Sequence, residues 1–257
     1  MAASTESGRD DSKLPYLNPY KAEILTALQE GDITVTGQFT QSSNYTFLVQ
    51  VEYQQQKLQA VYKPQKGERP LWDFPAGTLC KREVAAYMVS EYLIWELVPP
   101  TIFRRKAPLG RGSVQLYIKH DAELHYFSFD KAIRARLQKA AIFDLLINNA
   151  DRKGGHILLD KDDHLWLVDH GICFHQEYKL RTVIWDFAGQ SIPARILTDL
   201  QGLTIALEKG SDIYRQLLHW ISSSEIDALQ VRSRALQQMG VFPFPDEKRR
   251  PYPWPPL

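Results

Sequence analysis

Two aspartates flank a short stretch that has the pattern of a β-hairpin. Asp151 lies within residues 149–156 (NADRKGGH), just before an apolar run at residues 157–159. Asp169 directly follows a second apolar run at residues 165–168. The polar residues between the two runs are typical of a tight turn, so the pattern predicts two antiparallel strands. Because an antiparallel hairpin begins and ends on the same side, we expect both carboxylates to share one site.

Two convergent carboxylates suit phosphoryl transfer. One aspartate can orient an attacking hydroxyl and accept its proton, and the other can hold the metal ion that neutralises nucleotide phosphates. The first half of the chain offers a lysine for those phosphates, because Lys63 ends a strand-like run. Glu83, on the next predicted helix, could pair with this lysine and position it. The four residues fit one mechanism, although an isolated Asp-Arg pair in a loop is usually a solvated turn and an isolated lysine at a strand edge usually has no such role.

The lysine and the glutamate belong to the first half of the chain, which is rich in strand signals. A short helix is predicted at residues 21–29 and a longer one at residues 79–97, both from the spacing of their apolar residues. Runs of β-branched and aromatic residues predict strands at 33–37, 45–53, 58–63, 100–104 and 113–119. The polar residues 54–57 suit the turn of an antiparallel hairpin between the second and third strands.

The two aspartates belong to a second half that is mostly helical. Helices are predicted at residues 130–149, 193–209, 211–222 and 224–239, with Ser224 as a cap of the last. Six of the last fifteen residues are proline, which favours an extended tail or strap that is not a packed element. The predicted fold is α+β and two-lobed. It has a disordered start (1–15), a β-rich N-lobe (16–119), a helical C-lobe (120–242) and a proline-rich tail (243–257).

The composition is that of a globular protein without a strong charge. The chain has 257 residues, of which 44% are hydrophobic and 24% charged, and its net charge is +1. This balance gives no global case for nucleic acid or an anionic membrane as partner and favours a small molecule or a protein. Two cysteines are too few for a disulfide framework. With no signal-peptide pattern in residues 1–13 and no apolar run of about 18 residues, we expect a cytoplasmic protein without a membrane span.

Three segments resemble the phosphatidylinositol 3- and 4-kinase-like family of the protein-kinase-like fold, in particular its bacterial members. They are residues 149–156 (NADRKGGH), 168–171 (VDHG) and 61–64 (VYKP). The resemblance implies that ATP binds between the lobes and that Mg²⁺ or Mn²⁺ assists transfer of its γ-phosphate. It implies Asp151 as catalytic base and Asp169 as metal ligand. It also implies that backbone groups of Gln115, Leu116, Tyr117 and Ile118 lie beside adenine.

The chain departs from the family pattern at two places. Where kinases of this fold carry a metal-binding Asn five residues after the catalytic Asp, this chain has His156, which is expected to bind metal together with Asp169. A nitrogen ligand suits Mg²⁺ less well than oxygen does. The loop predicted to cover the phosphates has no glycine, so Ser42, Ser43 and Asn44 would have to supply its hydrogen-bond donors.

The function predicted from the sequence is an ATP-dependent phosphotransferase with a hydroxyl acceptor. Arg152 is expected either to support the catalytic loop or to contact the acceptor. A lipid, an inositol, a protein serine or threonine and a small metabolite all carry a suitable hydroxyl, and the sequence does not select among them. Two alternatives remain open, a nucleotide-binding pseudokinase that acts as an interaction module and a transferase that moves AMP. The sequence gives no signal for the oligomeric state.

Overall fold

A five-stranded antiparallel sheet forms the first half of the chain in a computed structural model that describes residues 19–40 and 44–257. Its strands are β1 (Asp32–Gln38), β2 (Phe47–Tyr53), β3 (Gln56–Pro64), β4 (Thr101–Arg104) and β5 (Gly112–Leu116), in the order β1-β2-β3-β5-β4. All five predicted strands are therefore present, with ends that differ by a few residues. The predicted disordered start (1–15) and the predicted phosphate-loop residues Ser42 and Ser43 lie outside the described residues.

The sheet buries one face against helix α1 (Pro19–Glu30). Alternate residues of the central strands, such as Val49 and Val51 of β2, are fully buried with Ile24 and Leu28 of the helix. This alternation is what a strand with one buried face requires, because successive side chains point to opposite sides. The sheet and α1 thus form a separate small core that holds β3 and its last residues in place.

Helix α2 (Leu79–Tyr92) is shorter than the predicted helix at 79–97. Beyond its end, Ile94 and Glu96 have φ angles of 53° and 51°, which a right-handed helix does not allow. The hydroxyl of Ser90 instead accepts hydrogen bonds from the backbone N–H groups of Leu97 (3.0 Å) and Val98 (3.3 Å). These bonds turn the chain back toward β4. The helical spacing of the apolar residues continues past the turn, which explains the wrong prediction.

The second half contains five helices and a small hairpin, and its helices share one large apolar core with α2. The helices are α3 (Lys131–Ala135), α4 (Gln138–Ile147), α5 (Ala194–Ala206), α6 (Asp212–Leu217) and α7 (Ser223–Met239); the hairpin consists of β6 (Ile157–Leu159) and β7 (Leu165–Leu167). Among the described residues, no helix has both the length and the apolar content that crossing a bilayer requires.

Three predicted helix boundaries in this half are wrong. Helix α6 ends at Leu217, whereas the predicted helix extends to residue 222. The predicted helix at 130–149 is divided into α3 and α4, and Asp130 caps α3 by accepting the N–H of Ile133 at 2.8 Å. The cap of α7 is Ser222 and not Ser224, because Ser222 and Glu225 exchange side chain-to-backbone hydrogen bonds in a capping box. Adjacent serines look equivalent in sequence, and only the position of Glu225 three residues after Ser222 distinguishes them.

The proline-rich tail, here called the C-terminal strap (residues 243–257), is extended but packed, contrary to the sequence prediction. Its Pro251 carbonyl accepts the N–H of Thr182 at 3.0 Å, and its Pro256 carbonyl accepts the N–H of Gly154 at 2.7 Å. Proline carbonyls remain good acceptors although proline has no N–H to donate. The strap therefore lies against the loop that contains Asp151, without forming a helix or a strand of its own.

Candidate active site

Lys63, Glu83 and Asp169 meet between the two halves of the molecule. The ammonium of Lys63, at the end of β3, donates to Glu83 Oε1 from α2 and lies 2.9 Å from Asp169 Oδ1. Glu83 is buried, whereas the side chain of Asp169 is 46% exposed. Burial lowers the pKa of Lys63, but the two carboxylates outweigh this effect and raise it above its ordinary value. The lysine is therefore a fixed cation held over the cavity.

Glu83 is held in place by two anchors of helix α2. The carboxylate of Glu68, in the preceding loop, accepts the N–H groups of Leu79 (3.1 Å) and Cys80 (2.8 Å) and so caps the first turn. Further along, the buried Arg82 pairs with Glu225 of the C-lobe at 2.6 Å. Rotation of the helix would break both anchors. The contact of Glu83 with Lys63 is thus built into the fold.

Asp151 lies on a loop that follows α4 and that its neighbours shape closely. Asn148 ends the helix with a φ angle of 54°, a left-handed conformation that asparagine tolerates. The side-chain oxygen of Asn149 then accepts the N–H of Asp151 at 2.9 Å. Burial raises the pKa of Asp151 to about 6, and the nearby charge of Asp169 acts in the same direction. A carboxylate with this pKa is suited to act as a general base near neutral pH.

The partial burial of Asp151 predicts a stability effect. Because the pKa of Asp151 is raised in the folded state, protonation of this carboxyl group stabilises the fold most below the ordinary aspartate pKa. This stabilisation is lost as the pH rises through about 6. We expect Asp151→Asn to raise the free energy of unfolding at pH 7.5 by about 1 to 3 kcal/mol, and the gain to disappear near pH 4. Denaturant unfolding at both pH values measures this. A difference in the free energy of unfolding between variant and wild type that stays the same from pH 4 to pH 7.5 would contradict this prediction. The control is Asp162→Asn, in the exposed hairpin turn.

Arg152 supports the loop from inside the protein and is fully buried. Its Nε lies 3.0 Å from Asp144 Oδ1 of α4, and its Nη1 donates to the carbonyl of Val168 at 2.7 Å, just before Asp169. Its Nη2 lies 2.8 Å from Nε2 of the buried His170. Of the two roles predicted for Arg152, the structure therefore gives it the supporting one, because a fully buried guanidinium is not accessible to an acceptor.

His170 connects this buried arginine to Glu83. Burial holds the pKa of His170 well below its usual value, so the ring is neutral. If Nε2 accepts from Arg152, the proton is on Nδ1, which lies 3.8 Å from Glu83 Oε2. The backbone N–H of His170 donates to the same oxygen at 2.9 Å. A chain of buried polar groups thus runs from Asp144 to Lys63 through Arg152, His170 and Glu83.

His156 and Asp169 lie together, as expected for a shared metal site, with 3.4 Å between Nε2 and Oδ2. Burial lowers the pKa of His156 to about 4, so a neutral ring is available as a ligand. However, Nδ1 lies 3.4 Å from the donating N–H of Lys153, which favours a proton on Nε2 facing Asp169. Among residues 19–40 and 44–257, no three His, Cys, Asp or Glu side chains form a metal-binding group. The carboxylate fits a Mg²⁺ or Mn²⁺ ion that takes its remaining ligands from phosphates and water.

The structure brings some of the other predicted site residues to the cavity and leaves others elsewhere. Asn44 lines the cavity together with Lys63, Glu83, Asp151 and Asp169. Residues 115–118 do not line it. Gln115 and Leu116 belong to β5, whose backbone is paired with both β3 and β4. The side-chain amide of Gln115 donates to the Thr101 hydroxyl. The backbone N–H of Tyr117 donates to the Gln59 carbonyl, and the Ile118 carbonyl contacts the His120 ring. Most of the backbone groups proposed to face adenine are thus already engaged.

Sequence reasoning missed several residues that shape the site. Lys153, two residues after Asp151, has its ammonium 3.9 Å from that carboxylate and could have been noticed by its place in the same loop. Asp144 is the only acidic residue of the otherwise apolar helix α4, which is a usable signal for a buried partner. Glu68 and His170 act through contacts distant in sequence and gave no local signal.

Comparisons with known proteins identify the family of the chain. No family model matches the chain. Protein Rv2133c of Mycobacterium tuberculosis is 40% identical over 263 aligned residues, which cover 89% of this chain and 93% of that protein. The chain belongs to the family of Protein Rv2133c.

Two more distant plant relatives match part of this chain. Phosphatidylinositol 4-kinase gamma 4 of Oryza sativa is 33% identical over 126 residues, and the protein of the same name from Arabidopsis thaliana is 30% identical over 129 residues. Each match covers 40% of this chain but only 22% and 23% of the plant proteins. The predicted resemblance to the phosphatidylinositol 3- and 4-kinase-like family is confirmed.

Solved structures identify the fold of this member of the Rv2133c family. Two crystal structures of the Golgi casein kinase, one of them with Mn/ADP bound, match with TM-scores of 0.55 and 0.60. They cover 87% and 94% of this chain and 76% and 81% of the chains compared, at 13% identity. The two-lobed protein-kinase-like fold predicted from the sequence is confirmed.

Proposed function

We propose that the protein is an ATP-dependent phosphotransferase that moves the γ-phosphate of ATP to a hydroxyl acceptor. The observation that carries the proposal is the convergence of Lys63, Glu83, Asp151 and Asp169 on one cavity between the lobes. A lysine and a metal-binding aspartate that can both face nucleotide phosphates, with a second aspartate beside them, are the parts that phosphoryl transfer needs. The proposal gives each of the four residues one role.

Three of these side chains act on different atoms of the reaction, and Glu83 positions the lysine. Lys63 binds phosphate oxygens through its fixed ammonium, and Asp151 accepts the proton of the acceptor hydroxyl. The acceptor oxygen then forms a bond to the γ-phosphorus as the bond from that phosphorus to the β-phosphate oxygen breaks, and ADP leaves. Asp169 would hold a Mg²⁺ or Mn²⁺ ion, which neutralises charge on the phosphates when bound. His156, whose Nε2 lies 3.4 Å from Asp169 Oδ2, would orient its carboxylate.

Thermal unfolding with nucleotide tests the proposal. A ligand present at 100 times its Kd stabilises the folded state by about 2.7 kcal/mol, which raises Tm by several degrees in a protein of this size. We expect this rise with ATP and Mg²⁺ or Mn²⁺, and slow release of ADP. Lys63→Met should remove most of the shift, because it removes the phosphate contact. The absence of any wild-type shift at millimolar nucleotide would contradict the proposed function.

A nucleotide-binding module without transfer activity is the second candidate. It is favoured by His156, which occupies the position of a metal-binding asparagine and whose ring hydrogen-bonds within the protein. The two candidates differ in their products, since a module would show the thermal shift with no ADP formed beyond the background rate. Release of pyrophosphate in place of ADP would instead indicate AMP transfer.

A further inference from the structure

A cavity of about 480 Å³ lies between the C-terminal strap and the segment that follows the active-site hairpin. Its walls include five aromatic side chains, Tyr126, Phe127, Trp185, Tyr252 and Trp254. Three of these rings are exposed, Phe127 by 46%, Tyr252 by 48% and Trp254 by 76%. Large aromatic side chains clustered on a surface usually mark a binding site, because their exposure is unfavourable unless a ligand covers them. The volume is that of a small-molecule site.

Two lining residues carry hydrogen-bond donors that have no acceptor. Arg134 Nε and Trp185 Nε1 are buried and unpaired within the described part of the chain. Both atoms have almost no accessible surface, so a ligand oxygen reaches them only after a small side-chain rotation. A buried donor without an acceptor costs about 1 to 3 kcal/mol, and this cost favours such a rotation when a ligand supplies the acceptor. Asp186 also lines the cavity, 4.0 Å from the Arg134 guanidinium, and accepts a hydrogen bond from Tyr126 at 2.6 Å. These polar groups favour a ligand that carries oxygen atoms.

The charges of the cavity cancel. Arg134 and Asp186 are the charged residues among those that line it, and they are of opposite sign. A phosphate or carboxylate ligand would meet the aspartate, and a cation would meet the arginine. A neutral ligand avoids both conflicts. Hydroxyl groups would accept from the unpaired donors and donate to Asp186, while an apolar C–H face would lie against the aromatic rings.

The cavity is close to the proposed catalytic base. Its lining residue Pro256 accepts the N–H of Gly154 at 2.7 Å, and its lining residue Phe127 packs so tightly on Gly154 that an added Cβ would lie 2.8 Å from the ring. Gly154 follows Asp151 by three residues, a distance of at most about 11 Å along an extended chain. Asp151 itself lines the neighbouring active-site cavity and not this one, so a ring ligand must extend past Gly154 to present a hydroxyl to it.

We propose that this cavity is the acceptor subsite and that it takes a small, neutral polyol with a ring, such as a sugar. The inference rests on the proposed function and adds the chemical class of the acceptor. It also gives the C-terminal strap a role, because Tyr252 and Trp254 form one wall of the subsite and Pro256 ties that wall to the catalytic loop.

Two variants of the full-length chain test the subsite. Trp185→Phe removes the unpaired indole N–H and keeps an aromatic ring, and Trp254→Ala removes a stacking face. The probes are glucose, maltose and myo-inositol, with ATP and Mg²⁺, and phosphorylated product is detected by mass spectrometry. We expect transfer to at least one of these polyols and a KM for it that is roughly 3- to 10-fold higher in each variant, with kcat nearly unchanged. An increase in KM without a change in kcat indicates the loss of a ligand contact, because general damage to the fold would lower kcat as well.

Matched substitutions outside the cavity provide the controls. Trp220→Phe changes a tryptophan that packs near β4, and Phe244→Ala removes an exposed ring of the same strap that does not line the cavity. Both should leave the KM for the polyol unchanged. Equal values of KM in wild type and Trp185→Phe would overturn the subsite.

The failure of this inference can be told apart from failure of the proposed function. A wild-type protein that shows the nucleotide-induced thermal shift and releases ADP, but phosphorylates none of the three polyols, would overturn the acceptor assignment alone. The same conclusion would follow if a serine-containing peptide were phosphorylated and the polyols were not. A protein that neither binds nor hydrolyses ATP would overturn both.

Discussion

Replacement of Asp151 by asparagine is expected to lower turnover by roughly 10²- to 10⁴-fold and to leave nucleotide affinity largely unchanged. The amide keeps the size of the side chain and the loop geometry but cannot accept the proton of the acceptor. In the proposed mechanism nucleotide binding depends on Lys63 and Asp169, whose side chains contact each other at 2.9 Å, and not on Asp151. The variant should therefore show the full thermal shift with ATP while ADP formation almost stops.

The pH dependence gives this prediction a second signature. With the pKa of Asp151 near 6, the wild-type rate should rise as the pH increases from 5 to 7, because the base is active only when deprotonated. The residual rate of Asp151→Asn should lack this rise. Asp162→Asn, whose carboxylate is exposed in the hairpin turn, should retain both the wild-type rate and its pH profile. Wild-type turnover in Asp151→Asn would remove this residue from the mechanism.

The sequence predicts the elements of the fold better than their interruptions. Each strand or helix buries one face, so its apolar residues recur at the spacing of that element. This spacing is present in the local sequence of β2, β3, α2, α5 and α7. The break between α3 and α4 does not follow from apolar spacing, since the same residues would suit a continuous helix. Asp130, as the cap of α3, was included in the predicted helix although it marks its beginning.

The packing of the C-terminal strap could not be predicted for a different reason. Proline-rich segments without a regular apolar pattern are usually solvated, and the strap resembles them in composition. Its contacts use backbone carbonyls, those of Pro251 and Pro256, which every residue has. These carbonyls accept from the N–H groups of Thr182 and Gly154, which become neighbours of the strap only through the fold.

The candidate site was predictable where its residues lie at the ends of elements. Lys63 ends β3, and Asp169 follows β7, so strand prediction alone narrows their positions. The residues that hold them were not predictable, because Asp144, Arg152 and His170 interact inside the protein and not along the chain. The segment 115–118 was assigned from the resemblance, and its backbone pairing within the sheet depends on the strand order, which local sequence patterns do not contain.

The buried pair of Arg152 and Asp144 is expected to have the largest effect on stability. Both side chains are 0% exposed, and Asp144 also accepts hydrogen bonds from Asn149 at 3.1 Å and Thr182 at 2.9 Å. Arg152→Met would leave a carboxylate buried without its counter-ion and would free the Val168 carbonyl. We expect a loss of about 3 to 5 kcal/mol in the free energy of unfolding, measured by denaturant titration.

A double variant separates the cost of the unpaired charge from the value of the pair itself. Removing both charges with Asp144→Leu and Arg152→Met should destabilise the protein by less than the sum of the two single changes, because no buried charge is then left alone. Arg136→Met breaks the exposed pair with Asp163 and should change the free energy of unfolding by at most about 1 kcal/mol. If Arg152→Met were as mild as Arg136→Met, the buried chain from Asp144 to Lys63 could not be what holds the catalytic loop, and the loop would have to depend on the C-terminal strap and the backbone contacts of Gly154.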